Sequence, residues 1–151
     1  MGPGYPVHTL ITIAPVASER VRQAPDPPSG PVIDDVVFDR LVADLGAEHI
    51  QGVCRVFLAN AATGIDAVAV ALAAGDVAEV AHATHRLKSS SGFLGARRLV
   101  ALCADIEARA GADTLEVTPG LEDLLAGELE LASAELVRRV GSAAAPDPPG
   151  R

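Results

Sequence analysis

Between residues 48 and 140 the apolar side chains return every three or four positions, and glycines interrupt that rhythm at intervals of a helix length. The clearest stretch is 48–74, where Ile50, Val53, Cys54, Phe57, Leu58, Ala61, Ile65, Val68 and Leu72 share one stripe. A stripe of that kind has to be covered by similar stripes, so the period predicts packed helices and leaves no convincing strand. The packing material is unusual in one respect: 49% of the chain is hydrophobic, but only 3% is aromatic. Small aliphatic side chains pack at short range, which suits helix against helix.

Local signals divide the pattern into five helices. Asp34 or Asp35 caps a short first one that buries Val37, Leu41 and Leu45 and stops at Gly46. Gly75 ends the long second helix. Asp76 with Glu79 three residues later forms a capping-box pattern for a third, which passes through His85 and frays or turns at Gly92 and Gly95. A fourth, over 96–110, places Leu99, Leu102, Cys103 and Ile106 inward and closes at Gly111. Thr118 and Pro119 start a fifth, with Leu121, Leu124, Leu125, Leu129, Ala132, Leu136 and Val140 inward. The expected fold is all-α: an up-and-down four-helix bundle over 33–141 with a short N-terminal cap helix. The flanks, 1–32 and 142–151, are rich in Pro and Gly and are expected to be disordered tails, in which the β-like run 10–13 has no strand to pair with.

Charge narrows the partners. The chain carries 12 Lys and Arg against 20 Asp and Glu, a formal net charge of −8, and both tails are neutral. An acidic body lacks the footprint that phosphate backbones and anionic bilayers require, so nucleic acid and membrane are excluded as partners. No run of about 18 uncharged apolar residues offers a membrane span, and no Lys or Arg precedes the apolar patch 7–17 as a secretory signal would need. Cys54 and Cys103 sit inside apolar runs and read as reduced core residues of a cytoplasmic protein. Against this background, 85–98 holds Arg86, Lys88, Arg97 and Arg98 with no acid, and Lys88 is the only lysine of the chain.

A helical wheel of the third helix turns Val77, Val80, Ala83, Leu87, Ser91 and Leu94 to the core and His85 away from it. Around His85 lie Ala81, His82, Lys88, Ser89, Gly92 and, if the helix reaches that far, Ala96, most of them small. An imidazole on so flat a surface is open to a reactive group on another protein. An exposed imidazole is mostly neutral at pH 7 and nucleophilic. It can accept a phosphoryl group, whose charge Lys88, one turn on, would neutralise. Ser89 is small enough to leave the ring accessible, and its hydroxyl could donate to a phosphate oxygen.

Residues 81–107, AHATHRLKSSSGFLGARRLVALCADIE, resemble the histidine-containing phosphotransfer (HPt) domains of phosphorelays. The segment matches the family pattern His-x-Leu-Lys-Gly-Ser-x-x-x-x-Gly-Ala-x-x-Leu-x-x-x-Cys-x-x-Leu-Glu without a gap, and the likeness covers roughly 33–140. It implies that His85 is the phosphoacceptor, Lys88 its cationic neighbour and Gly95 a close-packing turn. Glu107 falls where the family places a Gln or Glu that hydrogen-bonds the other ring nitrogen and orients it. The resemblance departs at Ser89, where the family usually has Gly. It implies receiver domains as partners, from a hybrid sensor kinase and from response regulators, with Mg²⁺ held by the receiver and no cofactor on this chain. A monomer that carries phosphoryl groups, not a true enzyme, is expected.

Other readings stand beside these. The same flat face could bind a receiver without phosphoryl transfer, as a sequestering module. His82 and His85 with Glu79 could approach Zn²⁺, but three positions on one helix rarely converge tetrahedrally, and no fourth ligand is in view, so no metal site is expected. Arg97 and Arg98 read equally as a solvated helix start or as a basic docking edge. His8 and His49 have no partner in view.

Overall fold

The structure, a computed structural model, describes residues 24–117 and 120–143. Thr118, Pro119, the run 10–13 and most of both expected tails lie outside these residues. Five helices follow in order: α1 (Asp35–Leu45), α2 (Ala47–Ala73), α3 (Val77–Leu94), α4 (Arg97–Gly111) and α5 (Leu121–Ala143). Helices α2 to α5 form a closed ring in which each packs on its chain neighbours and α5 returns to α2, while α1 lies across α2 and α3. Short connections between packed neighbours make the ring up-and-down.

The local reasons are visible at the helix ends. Asp34 caps α1 by accepting from the Val37 N–H at 3.1 Å, and Asp76 caps α3 by accepting from the Glu79 N–H at 3.0 Å. Glu79 turns its carboxylate outward to Arg86 at 3.4 Å, so Asp76 supplies the half of the capping box that is seen. Helix α3 runs through Gly92 and stops at Gly95, whose φ of 73° is left-handed. There the Ala96 N–H donates to Ser91 O and the Gly95 N–H to Gly92 O, which satisfies two terminal carbonyls. Helix α4 ends at Gly111, and the left-handed residue that closes it is not that glycine but Asp113, at φ 56°.

The core is aliphatic, with Ile50, Val68, Val80, Leu94, Leu99, Ile106, Leu125 and Leu136 among its buried members. Helix α1 differs from expectation: it buries Phe38 and Leu41, while Val37 and Leu45 stay half exposed. Its role is to brace the α3–α4 corner. The Asp34 N–H donates to Gly95 O at 2.8 Å, and a Cβ at Gly95 would stand 3.0 Å from Val37 Cβ. Ahead of α1, residues 24–34 are irregular, yet Pro25 and Ile33 are buried, and α5 continues to Ala143.

Two charged features were not foreseen. Glu128 is buried in α5 at 4% exposure and accepts from Arg98 of α4 at 2.7 Å, so Arg98 is neither a solvated helix start nor a docking edge. Arg139 of α5 reaches α1, bonding Asp35 at 2.5 Å and lying 5.7 Å above the Phe38 ring. Helix α2 is long and apolar enough to cross a membrane by length and composition, although no such span was expected. Here its buried face lines the bundle core.

Candidate functional site

Helix α3 presents His85 to solvent, with its side chain 62% exposed, because Val80, Ala83, Thr84 and Leu87 occupy the buried face. Thr84 is an unexpected polar member of that face. Its hydroxyl donates to Val80 O at 2.8 Å, so burial leaves it satisfied. The serines behave alike: Ser89 donates to His85 O at 3.1 Å, Ser90 to Leu87 O at 3.0 Å and Ser91 to Leu87 O at 2.7 Å. Ser89 therefore spends its hydroxyl on its own helix and adds little bulk beside the ring.

Glu107 comes from α4, which runs back along α3 after a connection of only Gly95 and Ala96. One carboxylate oxygen, Oε1, lies 3.2 Å from His85 Nδ1, while Oε2 accepts from Lys88 Nζ. Oε1 is buried and has no aligned hydrogen-bond donor, so the imidazole approaches at contact distance without its N–H aimed at the oxygen. The three residues singled out from the sequence thus meet in one cluster. Lys88 does not stand free on the outer face: it leans toward α4 and is half buried, its charge opposed by Glu107.

The rest of the expected docking face divides. His82, Ser89 and Gly92 are exposed around His85, and Ala81 is half buried. Ala96 is fully buried and caps α4, because the left-handed turn at Gly95 takes the chain off the α3 face before that point. Arg97 is exposed and lies 3.6 Å from Asp34. His82 Nδ1 stands 4.0 Å from Glu79 Oε2, and among the described residues no cluster of three or more His, Cys, Asp or Glu is arranged to hold a metal. Cys103, one turn before Glu107, is fully buried. Burial, then the negative Glu107, push its thiol up to about 12 against the pull of Lys88, which makes it a packing residue.

Sequence reasoning missed a groove on the other flank of α3. Leu45, Val53, Val56 and Phe93 line an open trough of about 800 Å³ between α2 and α3, with Ser90 and His49 at its edges. Val56 and Phe93 are both largely exposed there. The signal was a Phe on a helix whose core face was already complete without it.

Comparison with known proteins follows the same geometry. The family model described as Hpt domain matches residues 45–135, which include His85, Lys88 and Glu107. Histidine-containing phosphotransfer protein B (HptB) from Pseudomonas aeruginosa PAO1 is similar in structure, with a TM-score of 0.67 and 24% identity. That likeness covers 76% of this chain and 98% of the other, and it speaks to the fold. No curated protein matches the chain in sequence. The family match extends over more than half of the chain, and the chain belongs to the Hpt domain family, whose domains serve histidine phosphotransfer with receiver domains in two-component phosphorelays.

Proposed function

We infer that His85 accepts a phosphoryl group from the aspartyl phosphate of one receiver domain and passes it to the aspartate of another. The observation that carries this reading is the exposed His85 ring with Nδ1 3.2 Å from a carboxylate oxygen of Glu107 on α4. That pairing favours the tautomer with the proton on Nδ1 and leaves the Nε2 lone pair toward solvent. Attack by Nε2 on phosphorus forms the N–P bond as the bond to the aspartyl oxygen breaks, and the receiver's carboxylate departs with the electron pair. Positioning and charge neutralisation supply the catalysis. Lys88 serves the phosphoryl oxygens, Glu107 orients the ring, and Mg²⁺ belongs to the receiver, so this chain needs no cofactor of its own.

The receiver docks over His82, Ser89 and Gly92, with the half-buried Ala81 at the margin, and its apolar contacts reach the trough beside Phe93 and Val56. Gly95 acts structurally, holding the corner beneath this face. The protein works as a cytoplasmic monomer in this reading, with neither nucleic acid nor membrane as partner. Its two described cysteines are free and buried, in keeping with a reducing compartment.

Incubation with a phosphorylated receiver should give an acid-labile, alkali-stable phosphoprotein. His85→Gln should abolish the label and His82→Gln should keep it. Label retained in His85→Gln overturns the assignment, and tight receiver binding without any label replaces it with a sequestering module.

A further inference from the structure

Glu107 has one negative charge and two neighbours. Its Oε2 accepts from Lys88, while the buried Oε1 lacks an aligned donor and faces His85 Nδ1 at 3.2 Å. At rest, therefore, the lysine's charge is already opposed by the carboxylate, and a ring competent to attack, with a free lone pair on Nε2, brings no charge of its own. If His85 is the phosphoacceptor, as inferred above, the attack of Nε2 alters both sides of this balance. The ring keeps its Nδ1 proton and becomes a cationic imidazolium, and the transferred group sets negative charge beyond Nε2. No proton has to move, since the electron pair of the broken P–O bond leaves on the receiver's carboxylate.

We propose that Glu107 holds Lys88 in reserve and that phosphorylation makes the charges exchange partners. Lys88 leaves Glu107 for the phosphoryl oxygens, and Glu107 becomes the counter-ion of the Nδ1–H on the phosphorylated ring. The resting site contains one opposed pair, and the phosphorylated site contains two. The freedom to exchange is unequal. Lys88 has a side chain 29% exposed on a flexible stem with three donors, whereas Glu107, 20% exposed on the facing helix, stays where the imidazolium needs it. A carboxylate so placed loses stability if it is left unpaired, and the ring's new charge replaces the lysine it gives up.

Other cations nearby are engaged. Arg86 lies 3.4 Å from Glu79 and Arg97 lies 3.6 Å from Asp34 at the far end of α3, while Cys103 contributes no charge as a protonated thiol. His82, one turn before His85, stands 4.0 Å from the Glu79 carboxylate on its own helix.

Because Lys88 is the only lysine in the chain, selective ¹⁵N,¹³C-lysine labelling yields a single side-chain signal for NMR. Phosphoramidate is the phosphodonor, and ³¹P NMR identifies phosphohistidine. At rest, the Nζ hydrogens should exchange with water slower in wild type than in Glu107→Gln by about tenfold or more, as loss of a charge-assisted hydrogen bond implies. On phosphorylation the wild-type lysine signal should move and approach that of phosphorylated Glu107→Gln, because Lys88 faces the phosphoryl group in both. Phosphohistidine at position 85 with an unmoved wild-type lysine signal overturns the exchange alone. Absence of phosphohistidine there, with phosphoramidate and with a phosphorylated receiver, overturns the transfer reading and the exchange with it. The wild-type comparison decides the matter even if Glu107→Gln folds poorly.

Discussion

The Arg98–Glu128 pair predicts an asymmetry that simple loss of a contact would not. A single bond of 2.7 Å joins the two, but Glu128 is 4% exposed and Arg98 is 22% exposed. Arg98→Met leaves a carboxylate with almost no access to water. Removing one partner of a buried pair costs about 3–5 kcal/mol, and this variant should fall in that range. Glu128→Leu leaves a guanidinium whose edge can rehydrate, and its loss should be nearer the 1–3 kcal/mol of an unsatisfied polar group. The double variant removes both desolvation penalties and fills the space with apolar atoms, so its stability should return to within about 1 kcal/mol of wild type or exceed it. Urea unfolding with a common m-value gives the three numbers. Equal losses in the single variants, or a double variant that loses the sum of both, would refute this reasoning. Additive losses would mean that the two charges barely interact, as in a solvated surface bridge worth about 0–1 kcal/mol.

Three more outcomes are expected. Gly95→Ala should lose about 2–4 kcal/mol in urea unfolding, from left-handed strain and overpacking, since its Cβ would lie 3.0 Å from Val37 Cβ and 3.3 Å from Asp34 O; a loss under about 0.5 kcal/mol would contradict the crowding. Asp113→Gly should raise stability by about 0.5–1 kcal/mol, because that residue closes α4 at φ 56°; a lower melting temperature would contradict it. Glu135 is held well below the usual carboxylate range, at about 2, by hydrogen bonds from Arg138 and then Arg139. A carboxyl lowered on folding stabilises above its unfolded value and loses that contribution as pH falls through about 2. The stability gap between wild type and Glu135→Gln should therefore be full at pH 6 and close during acid titration; a gap independent of pH would sink the assignment.

The cluster of His85, Lys88 and Glu107 was legible because two of its members share a helix at a fixed spacing and the third follows a short, glycine-marked turn. Resemblance supplied their roles, and folding supplied the fact that Lys88 is already paired. What the sequence hid has physical reasons. Periodicity discounts charges, so the apolar pattern of α5 carries no sign that Glu128 turns inward to meet Arg98, distant in sequence. Helix α1 is short and crosses the ends of two others, which leaves several apolar faces equally plausible, and Phe38 won over Val37 and Leu45. Ala96 was placed by extending a helical wheel past Gly95, where the backbone leaves that wheel. Gly111 drew the α4 terminus because glycine is the usual left-handed cap, yet Asp tolerates the same conformation. The trough at Phe93 needed residues from three segments, each of which alone is an ordinary exposed hydrophobe.

The connection between α3 and α4 has only Gly95 and Ala96. Glu107 meets His85 because it lies about as far after that connection as His85 lies before it. One inserted residue would advance α4 by about 1.5 Å and turn its face by about 100°, taking the carboxylate off the ring although every side chain of the cluster remained. The spacing of the chain through the corner is thus inherited with the site as strictly as any of its side chains, and an alignment gap at 95–96 would be a more damaging change than many substitutions on the exposed face.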